Sequence, residues 1–172
     1  MAVNVNRLTN ANVYVNGANL LGMAEEVTVP RPKAIMVDHK GLGMVGKGEF
    51  PSGLDSLEAT VKWASLYATP EAILGTPFTV NFYQVRGHLE TYGATGLVAT
   101  GAAIFLLSGP MKDMGELKFM KHENVDVSTK IAVYHVEEYL NGTQILLYDL
   151  FSNQLIVDGV DVLAAFRENV GG

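Results

Sequence analysis

The chain has 172 residues, 48% of them hydrophobic, which is enough for one domain with a well-filled core. It contains no cysteine, and this excludes disulfides, thiolate metal sites and cysteine nucleophiles. Twelve basic and 18 acidic residues give a net charge of −6, without a cluster of lysines and arginines. Because neutralisation of phosphates drives affinity for nucleic acid, we do not expect tight DNA binding.

No segment predicts contact with a membrane. The most apolar stretch, residues 96–108, is shorter than the roughly 20 residues that cross a bilayer. We interpret it instead as a strand buried on both faces. Residues 1–6 are polar and lack the apolar core of a secretory signal. These features predict a soluble protein.

The N-terminal part predicts short strands and turns. Val13–Val15 and Leu20–Leu21 flank Asn16-Gly17, which predicts a hairpin because both central residues of a type I′ turn need positive φ. Glu26–Val29 predicts a strand that stops at Pro30, since proline cannot donate to a ladder. Ile35–Val37 then predicts further extended backbone.

A glycine-rich segment, residues 41–53, predicts a long flexible loop. It begins with Gly41-x-Gly43-x-x-Gly46, a dinucleotide-binding pattern, and through Lys47 it matches most of a Walker A loop. Both motifs need a following helix whose N-terminus receives the phosphates, and the later glycines and Pro51 exclude that helix. We therefore do not expect nucleotide binding.

The central part predicts strands with one short helix. Leu57–Trp63 alternates apolar and polar residues and predicts a strand with one polar face. Thr69–Gly75 combines an N-cap threonine, an early proline and a glycine stop, which predicts a helix of about two turns. Further strands are predicted over Phe78–Glu90, Leu97–Leu107, Leu117–Lys121 and Val125–Tyr139.

The C-terminal part predicts a hairpin on a second Asn-Gly turn, then a strand, another turn and a closing helix. In the closing helix an apolar stripe at helical spacing predicts a face docked on the core. Strands dominate and no βαβ rhythm is present, so we predict a single mainly-β domain over residues 1–172, an antiparallel sandwich or barrel with a central and a C-terminal helix. The segments are Ile131–Leu140, Gln144–Asp149, Leu155–Val157 and Val160–Asn169, and the stripe is Val160, Leu163, Ala164 and Phe166.

No pattern predicts a catalytic, metal or cofactor site. His135-x-Glu137 and His88-x-Glu90 match the H-x-E of zinc deaminases, but the cysteines of that signature are missing. Residues i and i+2 of a strand point the same way, so these pairs need no catalytic explanation. We expect solvated histidines on strand faces, and a solvated charge pair at Glu137-Glu138. An enzyme is not expected.

Four segments resemble the major tail tube protein of contractile phage tails and R-type pyocins, and they occur in the order of that family. The most specific is the tail, Asp158-Gly159-Val160-Asp161 with Arg167 and Gly171 behind it. The apolar run Leu97–Leu107 departs from the family, whose members are more charged there. The other three segments are Leu8–Asn10 with the opening hairpin, Val27–Pro30, and His39–Met44 with Gly53-Leu54-Asp55 downstream.

The resemblance implies a β-sandwich subunit that closes with other copies into hexameric rings. These rings stack into a hollow tube inside a contractile sheath. It also implies contacts with tail sheath, baseplate and tail terminator proteins, passage of DNA through the lumen without specific binding, and a place in the virion tail after assembly in the bacterial cytoplasm. The alternatives are the tube of a type VI secretion system or of a bacteriocin particle, and, from another class, a small β-barrel ligand-binding module or enzyme.

Two sets of residues are predicted to serve the tube. Apolar side chains in the segment 41–53 would be exposed in a monomer, and such groups usually mark a partner surface. An acidic channel wall would let DNA slide, because like charge repels phosphate, although strand parity leaves the outer surface as an alternative. The predicted assembly interface is Leu42, Met44, Val45, Lys47, Phe50, Leu54 and Asp55, and the predicted channel lining is Glu49, Glu58 and Glu90.

Overall fold

Antiparallel strands make up most of the molecule, which confirms the predicted mainly-β class. The computed structural model describes residues 3–122, 124–125 and 127–171. Both ends of the predicted domain 1–172, and residue 126 of the predicted strand Val125–Tyr139, lie outside the described residues. The strands are β1 Val5–Val15, β2 Ala18–Asn19, β3 Ala24–Thr28, β4 Ala34–His39, β5 Gly48–Leu54, β6 Leu57–Trp63, β7 Val80–Gly93, β8 Gly96–Asp113, β9 Val127–Val133, β10 His135–Leu140, β11 Thr143–Asp149, β12 Gln154–Val157 and β13 Val160–Asp161, and the helices are α1 Ala68–Leu74 and α2 Ala164–Val170.

Two layers of strands share the long strand β8. The first layer has the order β13-β12-β11-β10-β8-β7-β1-β2. The second layer is β3-β6-β9, and β9 joins the end of β8 at Met111 and Asp113. With 18 residues, β8 is long enough to pair with β7 on one side and with β10 and then β9 on the other.

The core lies between these layers. Strand β6 alternates as predicted, with Leu57, Ala59, Val61 and Trp63 buried and the residues between them partly exposed. Because successive strand residues point to opposite faces, this alternation turns one face of β6 inward along its whole length. The first layer contributes Val13, Val15, Tyr83, Leu107, Val136 and Tyr148 to the same apolar cluster.

The Asn-Gly and Asp-Gly turns are confirmed. Asn16 and Gly17 have φ values of 48° and 82°, and Asn141 and Gly142 have values of 52° and 83°. Asp158 and Gly159, at 50° and 76°, make the same kind of turn between β12 and β13. Positive φ at both central residues matches the right-handed twist of the flanking strands, so these dipeptides fix three hairpins locally.

The predicted flexible loop over residues 41–53 is wrong in its second half. Residues 48–54 form β5, which pairs with β4 in the register His39↔Gly48 and Val37↔Phe50. The loop proper is therefore residues 40–47. Pro51 is tolerated in β5 because a two-stranded sheet has a free edge where the missing N–H is not needed.

The interpretation of residues 96–108 as a strand buried on both faces is also wrong. Leu97 is 54% and Val98 56% exposed, and burial begins only at Ala103. The physical reason is the length of the β7–β8 hairpin. The second layer reaches β8 only near Met111, so the turn end of this hairpin extends beyond the strands that would cover it.

The C-terminal hairpin starts later than predicted. Residues 131–133 belong to β9 of the second layer, and the chain crosses to the first layer at Tyr134. The hairpin is thus β10–β11, with an irregularity between Glu138 and Tyr139. Val125, the predicted start of the preceding strand, lies outside any strand.

The predicted closing helix is present but begins later than predicted, and the prediction of a docked stripe is wrong. Val160–Asp161 is strand β13, and α2 begins only at Ala164. None of the residues of α2 is buried, and Phe166 is 53% exposed. After the Asp-Gly turn, Val160 and Asp161 pair with β12 as strand β13, so these first two residues of the predicted helix are extended.

Two smaller predictions change as well. Residues 117–121 do not form a strand, since within them only Lys118 makes an isolated bridge. Helix α1 begins at Ala68 with Tyr67 as its N-cap residue, so Thr69 is not the cap. Pro70 still lies in the first turn, where its missing N–H has no partner to lose.

Candidate assembly surfaces

The β4–β5 hairpin is the first candidate surface. Its strands form a two-stranded sheet separate from the two layers. All residues of β4 are exposed. In β5 only the two end residues, Gly48 and Leu54, are partly buried, and Leu54 packs on the core. A two-stranded hairpin without a covered face is marginally stable at best in water. Beyond its base, this hairpin therefore lacks contacts within its own subunit that would cover its faces.

The predicted interface residues come together on this hairpin. Leu42 and Val45 at its tip are wholly exposed, and Met44 and Phe50 are about half exposed (49% and 53%). Lys47 pairs with Asp38 at 2.9 Å, next to these exposed apolar groups. Leu54 and Asp55 lie instead at the base, where the Asp55 N–H donates to the Lys33 carbonyl at 2.8 Å.

The base of the hairpin is tied to the body by an ion pair that the sequence did not reveal. Arg31, between Pro30 and Pro32, contacts the Glu138 carboxylate at 2.7 Å. Glu138 is only 5% exposed, so the expected solvated pair Glu137-Glu138 is wrong. The two carboxylates are on opposite faces of β10, and Glu138 points inward toward Arg31. A buried carboxylate needs such a partner, because its charge is costly without one.

The second candidate surface is a pair of free strand edges. Residues 5–12 of β1 pair with β7 on one side, and β2 covers only the end of β1. Residues 96–101 of β8 likewise pair only with β7 among the described strands. An edge with unpaired backbone groups is a template for another strand. The length of the β7–β8 hairpin is the signal that sequence reasoning missed.

The three predicted channel residues lie on different strands. Glu49 is on β5, opposite Asp38. Glu58, on the outer face of β6, contacts Lys112 at 2.5 Å and Lys130 at 3.6 Å, and the hydrogen bond from Lys112 lowers the pKa of Glu58. Glu90, on β7, accepts the hydroxyl hydrogen of Tyr92 at 2.8 Å. The fold does not bring these carboxylates together, and two lysines balance the charge of Glu58.

A half-buried polar cluster lies on the outward face of the first layer. His135 contacts Asp149 through Nδ1 at 2.9 Å and Glu137 through Nε2 at 2.8 Å. Tyr139 and Gln144 both donate to the other oxygen of Glu137. His135 is thus not the solvated histidine that we expected, because the β10–β11 register places Asp149 directly opposite it.

The described part of the chain also bears on nucleotide, metal and membrane-spanning motifs. Loop 40–47 joins two strands, so the helix N-terminus that a phosphate loop requires does not follow it. Within residues 3–122, 124–125 and 127–171, no group of three or more His, Asp or Glu side chains has the geometry of a metal site. The described helices are too short to cross a bilayer.

The chain is similar to known proteins over most of its length. The family model described as phage tail tube protein FII matches residues 5–171. A tail tube protein from Escherichia phage P2 is 23% identical over 168 residues, which is 96% of each chain. A chain in the cryo-EM structure of the anti-feeding prophage baseplate is 9% identical, with a TM-score of 0.48 over 75% of this chain and 90% of that one.

Proposed function

The chain belongs to the phage tail tube protein FII family, and from that membership we propose that it polymerises as stacked hexameric rings into the inner tube of a contractile tail. A structural role in the tail tube comes with the family. The observation that carries the assembly proposal is the β4–β5 hairpin, whose surface is almost entirely exposed in the subunit.

The hairpin is proposed to lie against a neighbouring copy. Burial of apolar surface stabilises by about 25 cal/mol per Å², and Leu42 and Val45 have no contact of this kind in their own subunit. A neighbour that covers them would supply the missing face and order the hairpin. In this proposal Leu42, Met44, Val45, Lys47 and Phe50 form the contact, and Leu54 and Asp55 fix the direction of the hairpin from its base.

The free edges of β1 and β8 support closure into a ring. They lie on opposite sides of β7, so they face away from each other. The β1 edge of one copy can therefore pair with the β8 edge of the next copy. Such head-to-tail contacts form a closed ring when the rotation per copy divides a full turn.

The channel is proposed to carry DNA outward without holding it. At −6 each, six copies would carry −36, and a field of that sign repels phosphates along a narrow bore. Glu49, Glu58 and Glu90 remain our proposed lining. The tail sheath, baseplate and tail terminator proteins are the proposed partners, in a virion tail assembled in the bacterial cytoplasm.

Substitution at the hairpin tip tests the assembly proposal. Leu42→Asp with Val45→Asp should give a folded subunit that does not form tubes, because it places two charges where the neighbour would cover apolar groups. Circular dichroism would report the fold, and negative-stain microscopy with size-exclusion chromatography would report assembly.

Phe119→Asp is the matched control, since Phe119 is 73% exposed and lies outside the hairpin. It should assemble like the unmodified protein. Full-length tubes from the double variant would show that the hairpin tip lies outside the interface. An unmodified protein that stays monomeric at high concentration would contradict polymerisation itself.

A further inference from the structure

Both ring nitrogens of His135 face carboxylates. Nδ1 lies 2.9 Å from Asp149 Oδ2 on β11, and Nε2 lies 2.8 Å from Glu137 Oε1 on β10. An ionised carboxylate only accepts hydrogen bonds, and a neutral imidazole carries one N–H. Both contacts are therefore hydrogen bonds only when His135 is an imidazolium. A neutral ring would turn a nitrogen lone pair toward one of the carboxylate oxygens.

The surroundings leave these two carboxylates as the main charges that act on the ring. His135 borders a groove of about 510 Å³ on the outward face of the first layer. Strand β10 contributes Glu137 and Tyr139, β11 contributes Asp149, and β1 contributes the Tyr14 phenol. Strands β7 and β8 contribute only uncharged side chains to this groove, Phe82, Gln84, Leu106 and Ser108 among them.

This bridge spans the ladder that holds the C-terminal part of the chain. Strand β12 pairs with β11 and β13 pairs with β12, so in the sheet they reach the body through β10–β11. The turn at Asn141-Gly142 closes one end of that ladder, and the His135–Asp149 pair closes the other. We propose that His135 is a pH-dependent bridge, which as an imidazolium fastens residues 143–171 to β10 and weakens that attachment when it loses its proton.

The direction of the pH dependence follows from the same contacts. Burial lowers the pKa of His135, but the hydrogen bonds to Glu137 and Asp149 outweigh it and raise the pKa above its ordinary value of 6.5. The pKa values of Glu137 and Asp149 are lowered, because hydrogen bonds to them outweigh burial, so both carboxylates stay ionised near neutral pH. The stabilisation is complete below pH 6.5 and is lost as pH rises through the raised pKa of His135.

The test compares melting temperatures of the unmodified protein and His135→Gln between about pH 5.5 and pH 9, the range in which histidine titrates. We expect the variant to melt about 2–4 °C lower at the acidic end, and the gap to close as pH rises. His88→Gln is the matched control. His88 has the same spacing to Glu90, but its contact is 3.7 Å long and involves one carboxylate, so its gap should not change with pH.

A gap between the unmodified protein and His135→Gln that stays constant over the whole range would overturn the proposal. NMR of the unmodified protein with labelled histidine provides a second measurement that does not depend on how the variant folds. At pH 6.5 both ring nitrogens of His135 should carry protons, and the midpoint of its titration should lie above the ordinary histidine value. A ring that is already neutral at pH 6.5 would also overturn the proposal. Neither measurement depends on tube formation, so failure here leaves the proposed function standing.

Discussion

A buried hydrogen bond in the core joins Trp63 and Thr129. The Trp63 indole N–H donates to the Thr129 hydroxyl at 2.9 Å, and the residues are 4% and 2% exposed. They lie on the neighbouring strands β6 and β9, so the bond forms across the ladder of the second layer. In a low-dielectric interior such a bond matters mainly because leaving a donor without a partner is costly.

Thr129→Val tests this contact. It keeps the shape of the side chain but removes the acceptor of Trp63, and we expect it to lower the free energy of unfolding by about 1–3 kcal/mol. Urea denaturation at equilibrium would measure the change. Thr60→Val on the outer face of β6 is the control and should change stability by less than about 0.5 kcal/mol. Equal effects of the two substitutions would show that the buried bond contributes nothing specific.

Single residues were predictable where a local rule decides their conformation. The Asn-Gly and Asp-Gly dipeptides fix their own turns, so no distant contact was needed to place them. His135 and Glu138 were misjudged for the opposite reason. The partners of these two residues, Asp149 and Arg31, come from other strands or from a linker, and spacing along the chain carries no information about them.

At the scale of elements, burial patterns separated successes from errors. Strand β6 was predictable because one of its faces lies in the core and its sequence alternates accordingly. The β4–β5 hairpin covers neither face, so nothing selects an alternating sequence and its glycines suggested a loop. An element that does not pack on its own subunit lacks the alternating pattern that reveals a packed strand.

Helix α2 provides the prediction at this scale. Phe166 lines a groove of about 520 Å³ with Leu163, Leu54 and Tyr148, but half of its surface stays exposed. Phe166→Ala should therefore lower the free energy of unfolding by only about 1 kcal/mol. Ile131→Ala, at a wholly buried site of β9, should lower it by about 2–5 kcal/mol. Urea denaturation would give both values, and a larger effect at Phe166 would mean that α2 is docked more firmly than its exposure indicates.

At the scale of the whole molecule, the sequence predicted the fold class and the family. It did not predict the two layers that share β8. Nothing in the sequence of residues 96–113 indicates where pairing with β10 ends and pairing with β9 begins. The proposed interface residues Leu42, Met44, Val45 and Phe50 were predicted from their apolar character, and the structure leaves them exposed. The free edges of β1 and β8 were not predicted, since an unpaired backbone leaves no trace in side-chain composition.

The proposed acidic channel can be tested on the assembled particle. Glu49→Lys with Glu90→Lys should slow DNA ejection at low salt and less so at high salt, because a basic lining retains phosphates through salt-sensitive contacts. Glu58 is left unchanged in this design, since a lysine there would join Lys112 and Lys130 and disturb the fold. Glu49→Gln with Glu90→Gln is the control for loss of charge without reversal. Normal ejection through intact tubes of the lysine variant would place these residues away from the channel.

The ion pair between Arg31 and Glu138 bears on the precision of the proposed assembly. It holds the hairpin at its base, and Pro30 and Pro32 stiffen the chain on either side of Arg31. At about 3.3 Å per residue, a hairpin arm of six residues reaches roughly 20 Å, so a tilt of about 10° at the base moves the tip by about 3.5 Å. A small rotation at the base of the hairpin is thus amplified into a larger displacement of its tip. In the proposed tube, a change too small to disturb the sandwich would therefore move the tip by about 3.5 Å against the neighbouring copy.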